Sequence, residues 1–211
     1  TVQGSIDNGN LGSTFLMNAK QEAREKAIQT RKELPFKDQE KFSLRIKEIW
    51  DTAKENFILK NVGFYWPVQG EVSPLPIIEE LLSGGSRCFL PIVSVNTKER
   101  KLTFKEYTSD SQLTENRFHI SEPENGEEIT IDQLDLVFLP CACVDEVGHR
   151  IGMGMGFYDK TLEESAAQQE LIALAYDFQI IKSCFPEKQD IPVNGLITPS
   201  GFSSFYSKKA E

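Results

Sequence analysis

The chain has 211 residues, with 32 acidic against 23 basic side chains for a formal net charge of −9, and 39% of it is hydrophobic. That length suits one α/β domain, and 14 phenylalanines supply a core. The acidic balance argues against nucleic-acid or anionic-membrane binding while leaving room for a local basic pocket. No run approaches the roughly 18 apolar residues of a membrane span, and two histidines are too few for a His-rich metal site. The four cysteines lack metal-ligand spacing and point to a reducing compartment, so a cytoplasmic location is expected.

Residues 1–15 begin TVQGSIDNGNLGS, polar and glycine-rich, with neither the basic flank nor the apolar core of a signal peptide. They are expected to be a flexible leader, native or left from expression, and 16–211 a single domain. A helix is expected over Leu16–Leu34, with Lys20, Arg24 and Arg31 close to one face. That face is either solvated or, for Lys20 and Arg24, a cation pair reaching a polyphosphate. Pro35 ends this helix. A second, Asp38–Lys54, carries Phe42, Ile46, Ile49, Trp50 and Ala53 as a core stripe that continues to Phe57. Asn61–Val68 reads as a strand running into a loop, Leu75–Leu82 as a helix with Pro74 in its first turn, and Cys88–Val95 as a strand. This is the strand–helix–strand pattern of a parallel sheet.

Lys101–Tyr107 reads as an exposed extended piece, followed by a polar connection through Glu128. Leu134–Cys141 is the expected central strand, apolar with little alternation. A helix over Tyr158–Phe178 and short strands at Gln179–Ser183 and Leu196–Thr198 complete the expected three-layer α/β fold, a mostly parallel sheet covered by helices on both faces.

Between central strand and helix lies DEVGHRIGMGMGFYDK, Asp145–Lys160, with Gly152, Gly154 and Gly156 in strict alternation. Glycines there let backbone N–H groups approach an anion, and the following helix would add its positive end. The motif is neither GxGxxG nor a P-loop. Arg150 offers a fixed donor fork for phosphate, or is an ordinary surface arginine. Asp159 caps the helix, or holds Mg²⁺ together with nucleotide phosphates. Tyr158 stacks on a planar ring, or packs in the core. For Cys141 and Cys143, buried strand packing is a better account than thiol chemistry, because no histidine is placed to activate either.

The stretch GHRIGMGMGFYDK resembles the signature Arg-[Leu/Ile]-Gly-x-Gly-x-Gly-[Tyr/Phe]-Tyr-Asp of the 5-formyltetrahydrofolate cyclo-ligase (5,10-methenyltetrahydrofolate synthetase) family. Four further pieces agree in order: Lys20 with Arg24, YWPVQGEVS (Tyr65–Ser73), NRFHISEP (Asn116–Pro123) and DIPVNGLITP (Asp190–Pro199). The resemblance covers Lys20 to Pro199. It implies that Lys20, Arg24 and Arg150 are the catalytic cations on ATP phosphates, and that Gly152, Met153, Gly154, Met155, Gly156, Phe157 and Tyr158 wrap the nucleotide. It places Glu71 on the pterin edge, with Tyr65, Trp66 and Tyr158 beside the ring, and Mg²⁺ on Asp159.

The second metal-side carboxylate of many members aligns with Asn194, an uncharged amide, and Asp190 is a nearby substitute. Some members carry Arg and Lys where this chain has Met153 and Met155. The implied reaction converts 5-formyltetrahydrofolate, polyglutamylated or not, and MgATP into 5,10-methenyltetrahydrofolate, ADP and phosphate through phosphorylation of the formyl oxygen. The alternative is a non-catalytic nucleotide- or folate-binding paralogue on the same fold. A monomer or weak homodimer is expected, without nucleic-acid or membrane partners.

Overall fold

The computed structural model describes residues 8–94, 99–165, 169–188 and 190–205, with only the backbone described for 8–13. Four helices, α1 (Asn8–Glu33), α2 (Phe36–Ala53), α3 (Leu75–Ser83) and α4 (Phe157–Glu163), surround an eight-stranded sheet. Its strands in chain order are β1 (Asn61–Gly63), β2 (Arg87–Val93), β3 (Leu102–Tyr107), β4 (Glu128–Ile129), β5 (Leu136–Pro140), β6 (Glu170–Leu174), β7 (Gly195–Thr198) and β8 (Gly201–Ser204). Across the sheet the order is β8-β7-β6-β5-β1-β2-β3-β4. The five strands from β7 to β2 are parallel, and β3, β4 and β8 join antiparallel at the edges.

Alternation along the inner strands sorts the core into two layers. Leu136 and Phe138 of β5, with Ile172 and Leu174 of β6, pack under Ile46, Ile49 and Trp50 of α2 and Ile77, Ile78 and Leu81 of α3. Val137, Leu139, Leu171 and Ala173 face the opposite layer with Leu162 of α4. Phe138 is the hub of the first layer, its ring centroid 5.0 Å from those of both Trp50 and Phe64. The chain leaves β1 for β2 on one side and later places β5 on the other. The crevice beyond the ends of β1 and β5 is therefore a topological switch point, where open α/β sheets bind ligands. Over it sits a small sheet of Cys143–Asp145, Arg150–Ile151 and Ile180–Ile181, covered by Ala27 of α1.

Three expectations are corrected. The long helix over Tyr158–Phe178 is a short α4 followed by β6, paired with β5 at Leu171↔Val137 and Ala173↔Leu139. The run LIALA suits a helix or a buried strand equally well by periodicity, and the slot between β5 and β7 decides for the strand. Lys101–Tyr107 is not an exposed extension, because β3 pairs along β2 and buries Leu102 and Phe104. The first helix begins at Asn8 rather than Leu16, since extending a helix costs far less than nucleating one. Residues 1–7 of the expected leader lie outside the described residues. No helix among the described residues is long and apolar enough to cross a membrane.

Phe138→Ala should lower stability by about 3–5 kcal/mol, read as a reduced urea midpoint with an unchanged slope.

Candidate functional site

The hairpin leading into the glycine loop is held by Asp145, a buried carboxylate that accepts the N–H groups of Val147, His149 and Cys184 at 3.2, 2.9 and 3.1 Å. It fixes where Arg150 and the glycines emerge. Gly154 and Gly156 have φ of +89° and +71°, the left-handed region that side chains avoid. A Cβ placed on Gly152 or Gly156 would meet nothing within 4 Å, so the loop borders open space.

From α1, one cation reaches this loop and another is held beside the 187–190 segment. Arg24 Nε donates to the Gly152 carbonyl at 2.8 Å, and Lys20 Nζ lies 3.0 Å from both Glu187 and Asp190. Arg150 is no surface arginine: its side chain is 4% exposed and donates to the Ile191 carbonyl at 2.6 Å and to Asp159 Oδ1 at 2.7 Å. Asp159 itself is exposed on its outer side, at 42%. With only seven residues, α4 contributes less dipole than the expected long helix would.

Among the described residues, no group of three or more His, Cys, Asp or Glu side chains is arranged to hold a metal ion. Asp159, paired with Arg150 through Oδ1 yet 42% exposed beside an open glycine loop, does fit Mg²⁺, which takes one or two carboxylates and otherwise phosphate and water oxygens. Asp190 is committed to Lys20 and to the Glu187 N–H at 2.9 Å. Asn194 Oδ1 accepts the Leu171 N–H at 2.8 Å, and its own N–H returns to the Leu171 carbonyl at 2.8 Å. Asn194, expected on the metal side, thus bridges β6 and the start of β7 through both of these bonds.

Across the crevice lies the loop after β1. Glu71 is 7% exposed, with Oε2 accepting the Val68 N–H at 3.0 Å and Oε1 3.6 Å from Arg31 Nη2. Burial pushes its carboxyl up to about 7, against the opposing pull of Arg31 and of the Val68 N–H. Tyr65 is buried in the core with its hydroxyl on the Val72 carbonyl at 2.6 Å, bracing the loop that carries Glu71. Trp66 is half-buried against Tyr107, and Phe157 meets Phe118 edge-on. Met153 Sδ touches Arg31, whereas Met155 is exposed. A groove of about 440 Å³ runs alongside, between Phe36 and Leu44 of α2 and Val68, Glu71 and Pro76.

Arg31 is the first residue that sequence reasoning misplaced: set on a basic face, it is fully buried. Tyr176 is the second, hidden inside the helix that does not form. The hydroxyls of Tyr158 and Tyr176 are buried without a hydrogen-bond partner, an arrangement that ordinarily costs about 1–3 kcal/mol per group. Burial raises both phenols, and the Glu71 charge raises them further, that of Tyr176 to about 12. The four cysteines are free thiols and buried, with Cys141 pushed up to about 12 and Cys143 to about 11 by that burial, in keeping with packing rather than thiolate chemistry.

The raised carboxyl of Glu71 binds its proton more tightly in the folded state, so its stabilising contribution is present below the ordinary glutamate range and is lost as pH rises through about 7. Wild type should thus lose on the order of 3 kcal/mol relative to Glu71→Gln between about pH 4.5 and pH 8, read from urea unfolding at several pH values. Asn194→Ala should cost about 1–3 kcal/mol by stranding the Leu171 N–H, measured the same way.

The 5-formyltetrahydrofolate cyclo-ligase family matches residues 16–199 of the chain. Over 142 residues the chain is 33% identical to the 5-formyltetrahydrofolate cyclo-ligase of Escherichia coli (strain K12), covering 66% of this chain and 78% of that protein. Among solved structures it is similar to the Aquifex aeolicus 5,10-methenyltetrahydrofolate synthetase, with a TM-score of 0.78 and 26% identity over 91% of this chain and 95% of that one. The Mycoplasma pneumoniae synthetase, 20% identical with a TM-score of 0.70 over 85% and 98%, shares the fold. With a match that spans both the cation-lined glycine loop and the loop of Glu71, the chain belongs to the 5-formyltetrahydrofolate cyclo-ligase family.

Proposed function

We propose that the protein catalyses the Mg²⁺- and ATP-dependent cyclisation of 5-formyltetrahydrofolate to 5,10-methenyltetrahydrofolate, releasing ADP and phosphate. The observation that carries this reading is the meeting of two unlike half-sites at one switch point. An open glycine loop that Arg24 reaches, flanked in sequence by the paired Arg150 and Asp159, is joined through Arg31 to a buried carboxylate, Glu71, on the neighbouring strand-end loop. The family match supplies the substrates.

The formamide oxygen is a poor leaving group, and MgATP supplies the phosphoryl group that makes it a good one. N10 then closes on the formyl carbon, the formyl oxygen departs within phosphate, and N10 gives up its proton. The chain's work is positioning and charge compensation. Arg24 offsets triphosphate charge from α1, and Lys20 joins it by exchanging Glu187 and Asp190 for phosphate oxygens, while the open space at Gly152 and Gly156 gives phosphate room to approach the backbone. Arg150 holds Asp159 in place through Oδ1, and the half-exposed carboxylate would hold the metal. Glu71, on the far side, accepts from the donor edge of the pterin. The unpartnered hydroxyls of Tyr158 and Tyr176 are donors that a bound ring could satisfy. The groove beside α2 falls in the size range of small-molecule sites.

Purified protein given 5-formyltetrahydrofolate and MgATP should develop the methenyltetrahydrofolate chromophore, and omission of either ATP or Mg²⁺ should abolish it. A folded sample that binds ATP without turnover would favour the non-catalytic binding reading. Asp159→Asn should reduce turnover by about 100-fold or more with a raised Mg²⁺ requirement, while Asn194→Ala should leave the Mg²⁺ requirement unchanged.

A further inference from the structure

Arg31 is wholly buried, yet it has no part in phosphate or metal chemistry. Its guanidinium is spent on four partners from three segments. Nε donates to the Gln69 carbonyl at 3.0 Å and Nη1 to the Cys141 carbonyl at 3.2 Å, while Nη2 lies 3.6 Å from both Glu71 Oε1 and Met153 Sδ. Gln69 and Glu71 belong to the substrate-side loop, Cys141 follows β5, and Met153 lies within the glycine loop. There is little slack on the first side, because a Cβ on Gly70 would sit 2.7 Å from the Arg31 carbonyl oxygen.

Stability alone is a weak reason for this arrangement. A buried ion pair seldom outperforms apolar packing of the same volume. The planar fork, in contrast, spans several acceptors at fixed angles, as an ammonium does not. What it spans here is the boundary between the two half-sites.

We propose that Arg31 is a positioning residue that couples the halves of the site: by holding Gln69 and Glu71 on one side and Cys141 and Met153 on the other, it makes the glycine loop and the folate-side loop order together. Each ligand then binds more tightly when the other is present, by the same factor in either direction, as linkage requires. This inference rests on the proposed function and names a coupling within that site.

The full chain would be titrated calorimetrically with 5-formyltetrahydrofolate and with a non-hydrolysable ATP analogue plus Mg²⁺, each alone and with the other saturating. Wild type should show mutual tightening of about five-fold or more. Arg31→Lys keeps a cation beside Glu71 but loses the fork, and the coupling factor should fall to near one while the affinity for each ligand alone changes less. Met153→Ala leaves the buried pair intact and cuts its contact with the glycine loop. It should lose the coupling too, and it decides the matter should Arg31→Lys not fold. Independent binding in wild type, or coupling that survives in either folded variant, would overturn the inference alone. Failure of wild type to bind either ligand would overturn it together with the proposed function.

Discussion

A sheet whose five parallel strands are covered on both faces has no room for polar groups except at its strand ends. Leu136, Val137, Phe138 and Leu139 are all inaccessible to solvent, two facing each layer. Chemistry is thereby displaced to the loops beyond β1 and β5, and the divergence of those strands opens the crevice in which the loops meet. Asp145, Glu71, Arg31 and Arg150 all belong to this end of the molecule, and each is held by backbone groups that the turning chain leaves unpaired.

Electrostatics at this end are set by competition rather than by simple pairing. Desolvation drives Glu71 toward its neutral form, while the Arg31 guanidinium and the Val68 N–H favour the anion, leaving the carboxyl near 7. Arg150 and Asp159 pair differently, with a buried cation and a side chain of the anion that is 42% exposed. One carboxylate is sequestered with its cation, and the other is held at the surface by its cation. The orphaned hydroxyls of Tyr158 and Tyr176 add donors on the sequestered side.

Much of this was legible in the chain. The switch from period-3.6 to strand patterning after Phe57 marked the sheet, Leu134–Cys141 read correctly as its centre, and the glycine alternation between strand and helix drew attention to the loop that Arg24 reaches. The misreadings share a cause. LIALA satisfies both a helical and a buried-strand pattern, and only pairing with β5 and β7 separates them. Losing β6 to a helix also concealed Tyr176 and the bond from the Leu171 N–H to Asn194.

The sequence by itself determined which faces are apolar, where the chain turns, and where glycines alternate between strand and helix, because these depend on neighbours within a few residues. Tertiary structure decided the fate of the charges. Arg31 sits in the same helix as Lys20 and Arg24, seven residues beyond Arg24 and close to the same face. Its burial follows from acceptors 38 and 110 residues away and a sulfur 122 residues away. No local pattern encodes that, since the cost of burying a guanidinium is met only when distant segments bring their carbonyls and a carboxylate to the same place.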